Sequence, residues 1–97
     1  MNPAERVAAL RALLEAEFGP GSARVRDDSH HHACHAGAGG AGHFHVEVVS
    51  ERFAGLRTLA RHRLVYAAAA PMIPEDIHAL SIAAELPAGT PADTGTG

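Results

Sequence analysis

The periodicity of apolar residues predicts one amphipathic helix at the start of the chain. Apolar side chains recur three and four residues apart between Val7 and Phe18, which aligns them on one face of a helix. The preceding string Asn2-Pro3-Ala4-Glu5 combines a capping residue, a proline suited to the first turn and a glutamate that can reach back to the cap. Because Gly19-Pro20-Gly21 cannot continue the pattern, we predict a helix over residues 3–18.

Alternating apolar and polar residues predict two strands after this helix. Residues 23–27 alternate small or apolar side chains with charged ones, which is typical of a short strand near a sheet edge. Residues 43–50 form the clearest strand, with the apolar side chains of Phe44, Val46 and Val48 on one face. We expect the two strands to be antiparallel neighbours. The stretch of His, Ala and Gly between them, from residue 29 to residue 42, has neither the periodicity of a helix nor that of a strand. It is predicted to be a mobile loop.

Two helical segments are predicted after the second strand. Residues 50–53 can form a single capped helical turn, and Gly55 separates this turn from a longer helix over residues 56–70. Pro71 and Pro74 prevent a regular helix from continuing further, because proline cannot donate a helical hydrogen bond. The buried side of the longer helix is expected to contain Leu56, Leu59, Val65, Tyr66 and Ala69.

A third strand is predicted over residues 77–85. One face is predicted to carry His78, Leu80, Ile82 and Ala84, and the other face Ile77, Ala79, Ser81 and Ala83. The last residues of the chain are mostly Pro, Gly, Thr and Ala without periodicity. We therefore expect one domain over residues 1–86 and a disordered tail over residues 87–97.

The order helix, strand, strand, helix, helix, strand (αββααβ) predicts an α+β fold. A three-stranded sheet with helices on one face forms a two-layer sandwich. The 97 residues leave no room for a second domain. Aromatic residues are 4% of the chain and Trp is absent, so the predicted core is thin and is built from Leu, Ile, Val and Phe.

Composition and charge narrow the functional classes. No stretch approaches the roughly 18 consecutive apolar residues of a membrane span, and the amino terminus lacks a signal-peptide pattern. The single cysteine, Cys34, cannot form an internal disulfide. We therefore expect a cytoplasmic protein with no membrane partner. The net charge is -3 and all eight basic residues are Arg, which argues against nucleic-acid binding by bulk charge but leaves a local basic patch open.

Six short strings, taken in order and spacing, resemble the BolA family over about residues 5–86. They are Asp27-Asp28-Ser29-His30, His32-Ala33-Cys34-His35-Ala36-Gly37-Ala38, His43-Phe44-His45-Val46, Phe53-Ala54-Gly55-Leu56, Arg61-His62-Arg63-Leu64-Val65-Tyr66 and Ile77-His78-Ala79-Leu80-Ser81-Ile82. The resemblance implies a fold like the type II KH domain, in agreement with the element order. It also implies pairing with a monothiol glutaredoxin, with glutathione, to hold, transfer or sense a shared 2Fe-2S cluster. The isolated protein is then expected to be monomeric and without cofactor.

The resemblance also suggests the residues that bind this cluster. His78, at the start of the last strand, looks like one ligand. A second ligand would come from the loop, where His32 is the nearest match and His35 and Cys34 are alternatives. The family commonly has Gly where this chain has Cys34, so the second ligand stays open between these residues. Imidazole can replace thiolate on one iron of such a cluster, and a rigid strand with a mobile loop could supply one fixed and one movable donor.

Other interpretations of the histidines stay open. The eight His include a loop cluster of His30, His31, His32 and His35 beside Cys34, which could bind Zn, Ni or Cu adventitiously because its spacing matches no closed zinc site. A lone strand histidine such as His78 is also commonly structural. His43 and His45 are expected to be solvated or stacking residues.

Catalysis finds little support in the sequence. Cys34 and His35 are adjacent in a loop rich in glycine, which cannot hold the geometry of a nucleophile and its base. We therefore expect that the protein is not an enzyme.

DNA binding by a transcriptional regulator is the alternative function that the resemblance implies. The only basic stretch consists of Arg57, Arg61, His62 and Arg63, with Arg57 and Arg61 one helical turn apart. The turn at Gly55, however, has only the first glycine of the Gly-X-X-Gly loop with which KH domains clamp a nucleic-acid backbone.

Overall fold

The first helix begins and ends where its sequence signals predict. The computed structural model describes residues 2–28, 42–73 and 75–88, and α1 spans Pro3–Phe18. The Asn2 side chain accepts a hydrogen bond from the Glu5 amide at 2.8 Å, and the Glu5 carboxylate accepts one from the Asn2 amide at 2.9 Å. These reciprocal bonds satisfy two amides that a helix start otherwise leaves without partners. Leu10 and Leu14 are fully buried on the inner face.

Within the described residues, three strands form one mixed sheet in the order β1-β2-β3. The strands are β1 (Ala23–Asp27), β2 (Gly42–Val49) and β3 (Ile77–Glu85). The β1–β2 pair is antiparallel and the β2–β3 pair is parallel. This confirms the predicted antiparallel neighbours and the edge position of β1. Gly42 belongs to β2 and not to the preceding loop, whereas Ser50 leaves the strand and caps the next turn by accepting a hydrogen bond from the Arg52 amide at 3.1 Å.

The second helix starts later than predicted. A 3-10 helix spans Glu51–Phe53, α2 spans Thr58–Ala69 and a second 3-10 helix spans Ala70–Met72. Gly55 has a φ of +76°, a conformation that glycine adopts readily, and it turns the chain between the first 3-10 helix and α2. Arg57 has extended dihedral angles and caps α2, so the helix excludes the predicted residues 56 and 57.

The predicted buried face of α2 is partly wrong. Val65 and Ala69 are buried, but Leu59 is 63% exposed and Tyr66 is 44% exposed. At about 100° per residue, Leu59 lies about 120° around the helix from Val65 and Tyr66 lies about 100° from it. Both side chains therefore lie off the face that packs on the sheet.

One hydrophobic core lies between the two α-helices and one face of the sheet. Phe44, Val46 and Val48 of β2 are buried there, as their alternation predicts. On the other face, His45 is partly buried and Glu47 is exposed. The buried members of the core are Leu10, Leu14, Ala23, Phe44, Val46, Val48, Phe53, Val65, Ala69, Met72 and Ile77. The arrangement confirms the α+β prediction.

An irregularity at the start of β3 overturns its predicted faces. Gly42 pairs with Ile77, but His43 pairs with Ala79, so His78 is an extra residue on β3. Such a bulge changes the phase of the side-chain alternation. Ile77 is consequently buried in the same core that Leu80, Ile82 and Ala84 pack against, whereas the side chain of His78 is exposed. The predicted loop over residues 29–41 and most of the predicted tail, residues 89–97, lie outside the described residues.

Candidate functional site

His78 and His43 lie side by side where β2 and β3 begin. Parallel pairing brings the amino-terminal ends of both strands to the same end of the sheet. Nδ1 of His78 is 3.3 Å from Nε2 of His43. The ring centroids are 5.2 Å apart, and the ring planes meet at 72°, an edge-on contact. His78 is exposed and His43 is partly buried, so one imidazole of the pair is open to a binding partner.

Backbone contacts fix the entry into β3. The Gly42 amide donates to the Asp76 carbonyl at 3.1 Å, and the Asp76 amide donates to the Met72 carbonyl at 2.9 Å. The Asp76 carboxylate also pairs with Arg6 of α1 at 3.4 Å. The turn before His78 is therefore attached to both β2 and α1.

The same end of the sheet holds the described ends of the segment 29–41. The Asp28 amide donates to the carbonyl of His43 at 2.7 Å, and Gly42 opens β2. The predicted loop ligands His32, Cys34 and His35 belong to this segment and lie outside the described residues. The segment that contains them is thus joined to the fold beside the histidine pair.

An ion pair joins Arg26 to Asp28, the residue whose amide donates to the His43 carbonyl. The Arg26 guanidinium donates to the Asp28 carboxylate at 2.7 Å. This hydrogen bond, and with it the negative charge of Asp28, raises the pKa of Arg26 above its ordinary value. The positive charge of Arg26 is thus matched by the Asp28 carboxylate.

The donor set suits a metal centre that is completed by another molecule. Imidazole nitrogens are borderline donors that bind Zn, Cu and Fe. Over residues 2–28, 42–73 and 75–88, no three side chains of His, Cys, Asp or Glu are grouped so as to hold a metal ion. Among the described residues, His78 and His43 can therefore supply only part of a coordination sphere.

His43 was expected to be solvated or to stack, and its edge-on ring contact with His78 is of this kind, but the sequence did not indicate which residue it contacts. The two β2 histidines have different partners. His45 Nδ1 is 3.3 Å from Ser81 Oγ, and its Nε2 is 3.6 Å from the Glu47 carboxylate. The pairing of His43 with His78 depends on the parallel register and on the bulge, and neither leaves a local signal in the sequence.

The basic stretch does not form one exposed surface. Arg57 and Arg63 are exposed and His62 is partly buried. The partly buried guanidinium of Arg61 donates to the Leu56 carbonyl at 2.8 Å and to the Ala84 carbonyl at 3.2 Å. Arg61 therefore binds the fold itself, between the start of α2 and the end of β3.

The helices in the described part of the chain are all too short or too polar to cross a membrane. This agrees with the absence of a long apolar run in the sequence.

Known proteins match most of this chain in sequence. A family model described as "BolA-like protein" matches residues 14–89. BolA-like protein 1 of Homo sapiens is 46% identical over 81 residues, which are 84% of this chain and 58% of that protein. The DNA-binding transcriptional regulator BolA of Vibrio cholerae is 48% identical over 73 residues, which are 75% of this chain and 67% of that protein. The chain thus spans about 58% of the length of the first of these relatives.

A solved structure agrees with the sequence matches. The BolA domain of SufE1 from Arabidopsis thaliana superposes with a TM-score of 0.75 at 36% identity, covering 91% of this chain and 96% of that one. The fold of this chain therefore has a counterpart in a solved structure.

Proposed function

This chain belongs to the BolA-like protein family, and from this premise we propose that it is an adaptor for a 2Fe-2S cluster. It pairs with a monothiol glutaredoxin, which supplies a thiolate and glutathione, and it contributes histidine ligands to the shared cluster. The observation that carries the proposal is the exposed imidazole of His78 at the bulged start of an edge strand, beside a second histidine.

The position of His78 suits a ligand that must meet another protein. β3 is the last strand of the described sheet, so a partner can approach His78 without displacing a neighbouring strand. The bulge removes His78 from the core face, and its side chain can then be used without disturbing the fold.

A second donor comes from the segment 29–41, with His32 as the first candidate and Cys34 and His35 as alternatives. One or two imidazoles from this chain leave the remaining positions on the two irons to the glutaredoxin. When bound, such a cluster supplies electron-transfer or cluster-transfer chemistry, and imidazole in place of thiolate raises its reduction potential. This chain's part is to present the donors, without a catalytic group of its own. A cytoplasmic location and a monomeric state remain predictions.

The test is the visible absorption and circular dichroism of a cluster-loaded monothiol glutaredoxin, recorded alone and after addition of this protein. We expect a new spectrum with the wild-type protein and no change with His78→Ala. His45→Ala is the matched control, since His45 is also a sheet histidine but contacts Ser81 and Glu47. Far-ultraviolet circular dichroism should show that both variants are folded. A wild-type spectrum that survives His78→Ala would contradict the proposal.

DNA binding is the second candidate, because a relative that is 48% identical is named a DNA-binding transcriptional regulator. The geometry favours DNA binding less than cluster binding. Arg61, the central cation of the basic stretch, is directed to backbone carbonyls of this chain. Arg57 and Arg63 are left as the exposed arginines of the stretch for phosphate contacts.

A further inference from the structure

The contact between His43 and His78 determines which nitrogen of His78 can bind a metal. At 3.3 Å, the two facing nitrogens are at hydrogen-bond distance, with one as donor and the other as acceptor. If Nδ1 of His78 carries the hydrogen, Nε2 of the same ring keeps its lone pair. If Nε2 of His43 carries it instead, Nδ1 of His78 accepts, and the neutral His78 ring must be protonated at Nε2.

We propose that His43 is a positioning residue for His78. Nε2 of His43 accepts a hydrogen bond from Nδ1–H of His78. Nε2 of His78 is then unprotonated and available to bind a metal ion. This inference rests on the proposed function and adds to it a residue for which the sequence strings gave no role. Histidines that bind metals generally donate their other ring N–H to a protein acceptor, which fixes both the tautomer and the ring orientation.

The local structure indicates that His43 orients His78, and not the reverse. His43 lies on the central strand, its carbonyl accepts the Asp28 amide at 2.7 Å, and it pairs with Ala79 of β3. His78 lies on an edge strand, at the extra residue of a bulge, and its side chain is exposed. The partly buried ring of His43, on the central strand, can therefore orient the exposed ring of His78.

The opposite hydrogen-bond direction would disable the ligand. His78 would then accept at Nδ1 and carry its hydrogen at Nε2, so the neutral ring would have no lone pair directed to a partner protein. Orientation before binding also reduces the side-chain entropy that His78 loses when it meets a metal. Loss of a residue that hydrogen-bonds to a metal ligand in this way weakens metal binding by about 10–100-fold in known sites.

The first experiment uses the metal-free, ¹⁵N-labelled protein. Long-range ¹H–¹⁵N correlation spectra at about pH 8, where imidazole is ordinarily neutral, report the tautomer of each ring, and His78→Ala assigns the His78 signals. We expect His78 to be protonated at Nδ1 in the wild-type protein. His43→Phe keeps an aromatic ring but removes the acceptor, so it should shift His78 toward the Nε2–H tautomer that unconstrained imidazole favours.

Two further variants control for shape and folding. His43→Gln places an amide oxygen near the position of Nε2 and should retain the Nδ1–H tautomer. His45→Phe changes the neighbouring histidine of β2 and should have no effect. If His43→Phe fails to fold, His43→Val removes the acceptor with a residue suited to a strand.

The second experiment titrates the same variants into cluster-loaded monothiol glutaredoxin. About tenfold more His43→Phe than wild-type protein should be needed for half of the spectral change, whereas His43→Gln should behave nearly as the wild type. A wild-type His78 protonated at Nε2, or a tautomer that His43→Phe leaves unchanged, would overturn the inference. If the wild-type protein itself gives no new spectrum, the proposed function fails, and the metal-free spectra still determine the direction of the hydrogen bond.

Discussion

His78 combines a fixed backbone with an exposed side chain because it is the extra residue of a β-bulge. In a regular strand it would share a face with Leu80 and Ile82, which pack against the core. The bulge at the Gly42 pairing changes the phase, so Ile77 fills the core and His78 is exposed. Bulges are frequent next to functional sites for this reason, since they redirect one side chain without ending the strand.

The sequence predicts the importance of His78 but not the pair to which it belongs. The string around His78 carries the family resemblance, whereas no string connects it with His43, 35 residues earlier. Strand pairing holds the backbone of His78 on one side, because β3 pairs with β2 alone in the described sheet. Strand register depends on tertiary pairing, which local alternation cannot specify when a bulge intervenes.

The loop ligand is predicted to be His32. We expect His32→Ala to weaken or alter the mixed-cluster spectrum without abolishing it, because His35 and Cys34 are close in sequence and can partly substitute. Binding by a donor in a glycine-rich segment has a larger entropy cost than binding by His78, so its loss should have the smaller effect. Visible circular dichroism of the cluster-loaded glutaredoxin, mixed with His32→Ala or with His78→Ala, measures the two effects.

Cys34→Ser serves as the comparison for His32→Ala. It should have little effect if a histidine of the loop, and not Cys34, is the second ligand. A spectrum lost in Cys34→Ser but unchanged in His32→Ala would assign the second ligand to Cys34.

At the scale of elements, α2 protects the outer strand β3. The Tyr66 hydroxyl donates to the Leu80 carbonyl at 3.2 Å, and the Arg61 guanidinium donates to the Ala84 carbonyl at 3.2 Å. These carbonyls lie four residues apart on a strand that has no further neighbour in the described sheet. Side chains that occupy an edge in this way hinder pairing with a strand of another molecule.

Arg61 should consequently matter more for stability than for nucleic-acid binding. We expect Arg61→Ala to lower the free energy of unfolding by about 1–3 kcal/mol, because two backbone carbonyls lose a charged donor. Arg63→Ala, at an exposed position of the same helix, should change it by less than about 0.5 kcal/mol. Urea denaturation of both variants measures the difference.

Duplex-DNA binding by the same variants separates the two functions. Each phosphate contact that is lost should reduce the slope of log affinity against log salt by about 0.9, and we expect weak binding with a shallow slope throughout. If Arg61→Ala is as stable as the wild type but loses tight, sequence-dependent binding at physiological salt, DNA binding becomes the main function.

Element boundaries were predictable where the signals are local. The capping box at Asn2 and the glycine after Phe18 fix α1 through bonds within a few residues. The face of α2 was less predictable, because Leu59 and Tyr66 are apolar or aromatic yet lie off the packed side. Only the crossing of α2 over the sheet determines which face is buried, and this crossing is a property of the tertiary fold.

At the scale of the whole molecule, the core formed by the described residues contains no His, Cys, Asp or Glu. Its largest fully buried side chains come from α1, β2, the first 3-10 helix, α2 and β3, and all are apolar. The histidine pair lies at the end of the sheet, outside this core. The residues of the described core are therefore distinct from those proposed to bind the cluster, in contrast to small domains that fold only around a structural metal.

The thermal stability of the isolated protein should accordingly be independent of metal. We expect the metal-free protein to be colourless and folded, and a chelator to move its thermal midpoint by less than about 2 °C, which corresponds to under about 0.5 kcal/mol for a domain of this size. Phe53→Ala is the positive control, since Phe53 is fully buried against Phe18 with ring centroids 5.3 Å apart. It should cost about 3–5 kcal/mol and lower the midpoint strongly. A chelator effect of that size, reversed by added zinc, would reveal a structural metal and contradict the adaptor role of the loop histidines.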